Sequence, residues 1–244
     1  MMMLDLLIIS VMSPLALSDP INVGTGTRNH WKKSYETFEG CGVMSGKQDI
    51  GSTITGGVPV TQDDPFPWMV FICTLQDDGK CELCGGSMIT NRKILTAAHC
   101  LKNSTIDNIG LIIGVHDTIK SLKDFTFNFI SKIDIYPGYN LAQGKTKLKN
   151  APDIAVLTLE EPLRLNDRIN TICLTDGLSG YVDQPAIVSG WGYDPVTNKT
   201  SEDKLMKVEI NVISNVECKK RSRPRYSFFA KVYAICIFIS NLRE

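Results

Sequence analysis

Short apolar runs broken by turn residues recur along the chain and set its expected architecture. Residues 69–75, 87–95, 109–114 and 125–135 read as strands, each bounded by Gly, Pro, Asn or Asp. Residues 205–213 alternate apolar and polar positions, the pattern of a half-buried strand. Several short strands at this spacing predict an all-β barrel. Residues 19–53 break the pattern. They are polar, rich in Gly, Ser and Thr, and hold no periodicity long enough for an element.

The first twelve residues are nearly all apolar, yet too few to span a bilayer, which needs about 20. They read as the apolar region of a signal peptide, with Ala16-Leu17-Ser18 as the cleavage site, although Asp5 precedes the run and no Lys or Arg does. A secreted protein is therefore expected. Eight cysteines fit an oxidising compartment and allow 105 pairings. Lys and Arg number 26, as do Asp and Glu, so net charge gives no reason to expect nucleic acid as partner.

Candidate chemistry centres on Leu95-Thr96-Ala97-Ala98-His99-Cys100, an apolar run ending on a histidine beside a cysteine. Cys84-Gly85-Gly86-Ser87-Met88-Ile89 can supply the facing strand, and a Cys84–Cys100 bridge fixes His99 against it. A general base needs such a fixed position. Downstream, Asp153 precedes the apolar run Ile154-Ala155-Val156-Leu157. It is expected at the mouth of that strand, largely shielded. A shielded carboxylate needs a partner, and an imidazole N–H suits it.

These motifs resemble the trypsin-like, chymotrypsin-fold serine protease family. The resemblance implies a double β-barrel, with a complete first barrel over residues 54–165 and a partial second over 166–244. Residues 1–18 are then the signal peptide and residues 19–53 a propeptide or light-chain-like segment. His99 is implied as catalytic base and Asp153 as the carboxylate that orients it. Residues 171–174 and 186–192 resemble the first strands of the second barrel. The family pattern implies bridges Cys84–Cys100, Cys41–Cys173 and Cys218–Cys236. It leaves Cys73 and Cys81, which flank the turn sequence Asp77-Asp78-Gly79. Cys81-Glu82-Leu83-Cys84 also has the CxxC spacing of a redox or zinc site, without a second CxxC or a nearby His pair. No metal or cofactor is expected. His116 fits a structural role and His30 an exposed one.

Three features depart from the family pattern. Ile54-Thr55-Gly56-Gly57 resembles the start of a mature protease, but Thr53 stands where most zymogens carry Arg or Lys. The Gly-Asp-Ser-Gly-Gly motif, which would carry the nucleophile and oxyanion donors, does not occur in residues 1–244. Neither Ser227 nor Ser240 has its flanking glycines. The specificity pocket ahead of that motif is missing with it. The expectation is a serine endopeptidase family member truncated before its serine and inactive as written. The alternative is a non-catalytic secreted homologue that binds a protein partner. Residues 219–225 form a basic cluster suited to a polyanion or to solvent. Asn103-Ser104-Thr105 and Asn198-Lys199-Thr200 are glycosylation sequons.

Overall fold

The computed structural model describes residues 9–10, 40–43, 58–61, 66–77, 79, 81–102, 104–114, 127–137, 139–140, 145–146, 153–174, 181–191, 193–194, 199–200, 205–214, 216–217, 220 and 236–238. The chain is all-β among them, apart from short helical turns. Strand β1 is Ile9–Ser10 and β2 is Val58–Pro59. The main run follows as β3 (Met69–Leu75), β4 (Cys81–Thr90), β5 (Lys93–Thr96), β6 (Ile109–Ile113) and β7 (Ile130–Ile135). A small hairpin pairs β8 (Tyr139–Asn140) with β9 (Lys145–Thr146), and β10 is Ala155–Leu159. The second half contributes β11 (Pro185–Gly190), the pair β12 (Tyr193–Asp194) and β13 (Lys199–Thr200), β14 (Met206–Ile213) and β15 (Cys236–Phe238).

Six strands form one antiparallel sheet in the order β6-β3-β4-β5-β10-β7. Outer strand β6 meets the stretch just before the other outer strand, β7, where Leu111 and Asn128 exchange backbone hydrogen bonds of 3.0 and 2.8 Å. That contact curls the sheet towards a closed barrel and covers edges that would otherwise stay unpaired. A second sheet runs β1-β11-β14-β15, with β2 also paired to β14.

The alternation of apolar residues explains what each strand buries. In β10, Ala155, Leu157 and Leu159 point inward, while Val156 and Thr158 are partly exposed. Strand β3 is buried on both faces. Val70 and Ile72 join the main core, whereas Phe71 and Cys73 pack with Ile112 and Trp191 on the other side. The Phe71 and Trp191 rings meet edge to face at 5.4 Å. The main core also takes Ile187 and Leu205, so one apolar cluster joins both sheets. Leu157 lies at its centre, in register with Ile94 of β5 and Ile133 of β7. Leu157→Ala is expected to cost about 2–5 kcal/mol by leaving a cavity in a site fully closed to water. Urea unfolding of the variant measures it.

Three strand expectations need correction. Of residues 125–135, the described ones form a strand only from Ile130, and Asn128 makes an isolated bridge to Leu111. Residues 87–95 are not one strand. The chain reverses at Asn91 and Arg92 between β4 and β5, and the β4 pairing shifts register near Met88. Asn favours such turns because its short polar side chain tolerates their backbone conformations. Arg92 then seals the turn by donating from Nε to the Leu159 carbonyl at 2.9 Å and from Nη2 to the Glu160 carbonyl at 2.8 Å. Residues 171–174 form no strand either. Their backbone is used in single contacts, as when the Ile172 N–H donates to the Met88 carbonyl at 2.9 Å.

Candidate functional site

Strand β5 delivers the histidine. After Thr96 the chain enters a 3₁₀ turn over Ala98–Leu101, in which Ala98, Cys100 and Leu101 are buried. Small and apolar residues fill the inward side, which leaves His99 facing outward. The Thr96 hydroxyl donates to the Gly85 carbonyl at 2.9 Å and ties the end of β5 to β4. The Cys84–Cys100 disulfide, with Cα atoms 6.0 Å apart, fastens the turn to the same strand. Position 99 is thus held from both sides of its backbone.

Sheet register delivers the carboxylate. Strand β10 runs antiparallel to β5, with Ala155 opposite Thr96. Residues just before 155 therefore lie beside residues just after 96, and Asp153 meets His99. One carboxylate oxygen, Oδ2, lies 2.7 Å from His99 Nδ1. The other, Oδ1, accepts the His99 backbone N–H at 2.9 Å. A carboxylate has acceptor capacity for both. It holds the ring by its edge and the residue by its main chain. With the proton kept on Nδ1, the basic lone pair falls on Nε2.

The expectation that Asp153 is largely shielded is corrected. The His99 and Asp153 side chains are 38% and 39% exposed. The reason is position: β10 begins only at Ala155, and Ile154 is itself 41% exposed, so Asp153 stands on the barrel rim.

Tyr139, in a stretch that resembles a family signpost, is a further neighbour of Asp153, a relation the motif reading did not assign. Burial pushes its phenol up, and the Asp153 charge adds to this, to about 12. The phenol is an acid that holds its proton more tightly in the folded than in the unfolded chain. Its contribution to stability is therefore complete below about pH 10 and is lost as pH rises towards 12. Tyr139→Phe should flatten the stability profile in that window. Asp153→Asn should lower the phenolate titration midpoint, followed by ultraviolet absorbance, without returning it to the ordinary value. The Tyr136-Pro137-Gly138 turn leading into Tyr139 was visible in the sequence. Its approach to Asp153 depends on how the β8–β9 hairpin folds back, which no local signal encodes.

Of the expected bridges, the structure forms Cys41–Cys173, Cys73–Cys81 and Cys84–Cys100, with Cα separations of 5.1, 5.1 and 6.0 Å. The Cys218–Cys236 pairing lies outside the described side chains, as do His30, His116, Ser227 and Ser240. So do Ile54 and the basic cluster, except Lys220, which lies 3.9 Å from Glu217. Among the described residues no helix is long and apolar enough to cross a membrane.

Fold and site together define an all-β protein with a curled six-stranded sheet and a disulfide-pinned histidine–carboxylate pair at its rim. The chain belongs to the Trypsin family, which it matches over residues 54–240. It is 33% identical over 188 residues to hypodermin-A of Hypoderma lineatum, covering 76% of this chain and 66% of that protein. Venom serine protease 34 of Apis mellifera is 29% identical over 184 residues, 74% of this chain and 43% of that protein. The clotting factor G beta subunit of Tachypleus tridentatus is 29% identical over 180 residues, covering 70% and 53%. The chain therefore spans 43% to 66% of the length of these three relatives.

Proposed function

We propose that residues 54–240 are the part of a serine endopeptidase domain that carries the general base, His99, and its orienting carboxylate, Asp153. The observation that carries this reading is the two-point hold of Asp153 on His99, at ring and backbone. An imidazole fixed in one tautomer can take a proton from a hydroxyl nucleophile at Nε2, and the carboxylate then stabilises the imidazolium. The substrates are peptide bonds of proteins, and the setting is extracellular. In this reading residues 1–18 are a leader and 19–53 a propeptide or light-chain-like segment. Residues 54–165 and 166–244 belong to the first and second barrels, and Cys218–Cys236 is a fourth bridge.

The second part of the proposal is that residues 1–244 do not by themselves hydrolyse peptides, because the Gly-Asp-Ser-Gly-Gly motif is not among them. A binding role, without catalysis, is what these residues then retain. The test uses residues 19–244, cleaved before Ile54 and exposed to a fluorophosphonate serine probe. No specific labelling is expected. Labelling that vanishes in His99→Ala would show that another serine, such as Ser240, serves as nucleophile. The dyad itself is read separately by nitrogen-edited NMR. A hydrogen-bonded Nδ1–H resonance of His99 that disappears in Asp153→Asn supports it, and a ring protonated only on Nε2 would refute it.

A further inference from the structure

We propose that the outer edge of β11 is a strand-acceptor site whose ligand is an extended apolar peptide segment, and that the N-terminal stretch around Ile9–Ser10 fills it in the full chain. The proposal rests on backbone pairing and burial and is independent of the peptidase reading. Strand β11 pairs with β14 on one side over its whole length, from Pro185 opposite Asn211 to Gly190 opposite Met206. On its other side, among the described residues, it meets β1, antiparallel, with Ile9 opposite Val188 and Ser10 opposite Ile187. Two of the six residues of β11 have a partner there.

The composition and burial of β11 are those of an inner strand, not of an edge. Pro185-Ala186-Ile187-Val188-Ser189-Gly190 carries no charge. Exposed edges usually block pairing with lysines, inward charges or bulges. The proline of β11 stands at its first position, where a strand tolerates it. Both faces of the strand are covered. Ile187 joins the main core and Ser189 donates to the Met69 sulfur at 3.4 Å, while Ala186 and Val188 pack with Ile210 and Val212. In an antiparallel strand, alternate residues turn both N–H and C=O to the same side. Half of the β11 backbone groups therefore point away from β14, in a strand whose residues 186–189 are at most 6% exposed. Backbone groups so buried need partners, and a strand added along the edge supplies them.

The N-terminal stretch has the chemistry of such a strand. Leu6-Leu7-Ile8-Ile9-Ser10-Val11-Met12 is uncharged, and its Ile and Val residues favour extended backbone. An added strand gains affinity from main-chain hydrogen bonds and selectivity from alternate side chains. Pairing of Ile9 with Val188 and of Ser10 with Ile187 sets its direction and register. Because the stretch is tethered, its local concentration is high and it holds the edge against other chains. Removal of residues 1–18, as the leader reading has it, clears the edge for another extended apolar peptide. Processing of the N-terminus thereby controls whether a peptide-docking edge is open.

The test compares the full chain with its full-length Ile9→Pro, Ser10→Pro variant. Successive strand residues point their N–H groups to opposite sides, so one of the two prolines removes a donor to β11. The probe is a synthetic peptide of residues 4–12, flanked by added lysines for solubility. Hydrogen exchange of the 185–190 amides is expected to be about tenfold faster in the variant, and saturation with the probe should restore the slow rate. A peptide carrying the same two prolines remains apolar and should restore nothing. The parent chain, with its edge already filled, should bind the probe about tenfold more weakly than the variant does. Exchange in β10 should be alike in both chains, which shows the first sheet intact. Interstrand NOEs between Ile9 and Val188 in the parent chain test the pairing without any variant. Where β10 exchange also rises, the variant has unfolded and these NOEs decide. Their absence, unchanged exchange at 185–190, or equal restoration by both peptides overturns the proposal. Self-association of the variant supports it when the probe disperses the assembly and overturns it when the probe has no effect.

Discussion

Replacing Cys41 and Cys173 together by serine is expected to lower stability by about 5 kcal/mol, estimated from the loop that the bridge closes. The two cysteines are 132 residues apart in sequence. Their link removes far more freedom from the unfolded chain than the Cys73–Cys81 bridge, whose cysteines are eight apart and whose loss should cost roughly half as much, about 2.5 kcal/mol. In the folded chain a backbone hydrogen bond accompanies the long bridge. Gly42 donates its N–H to the Thr171 carbonyl at 2.7 Å, and its φ of +71° suits glycine. A Cβ at that position would stand 3.3 Å from the Cys173 sulfur, so the contact is close. From there Asn170 and Ile172 donate to the Pro67 and Met88 carbonyls, which fastens the 170–174 segment to the first barrel. Guanidinium unfolding of the two double variants checks the ordering. If the short bridge proves as costly as the long one, chain entropy is not what the Cys41–Cys173 link supplies.

The parts of the fold that the sequence made legible share a physical origin. Run 155–159 buries alternate side chains and run 69–75 is apolar on both faces, and each is a local pattern that a sequence displays. The turn at Asn91 and Arg92 was hidden because apolar Met88-Ile89 and Ile94-Leu95 flank it closely and look continuous. Only the cross-strand partners of β4 and β5 reveal two strands there. The candidate site shows the same division. His99 and Asp153 stand out by motif, but their meeting follows from the Ala155–Thr96 register, a relation between strands 59 residues apart. The half-exposure of Asp153 depends on where β10 begins, and neither it nor the bond to the His99 backbone has a local signal. The Cys41–Cys173 pairing was legible only through resemblance to a family, since spacing alone leaves many pairings open.

Peptide hydrolysis by residues 19–244 is expected to fall about 10⁶-fold below that of a serine protease with a complete triad, the scale on which loss of the serine alone acts. The reason lies in what a base can do. His99, held by Asp153, can accept a proton at Nε2 only from a nucleophile placed against it, and neither residue can itself carry the acyl group. Water in the place of a serine is not fixed and forms no covalent intermediate, so one difficult step is no longer split into two easier ones. Donors that stabilise the tetrahedral oxyanion are worth about 2.7–4 kcal/mol each, and in the family they belong to the same motif as the serine. Initial rates on an unstructured protein substrate measure this, with His99→Ala and Asp153→Ala run beside the parent. Three equally low rates are expected. A parent rate well above both variants would mean that the dyad already works on a nucleophile within these residues. The serine labelled by a fluorophosphonate would then identify it.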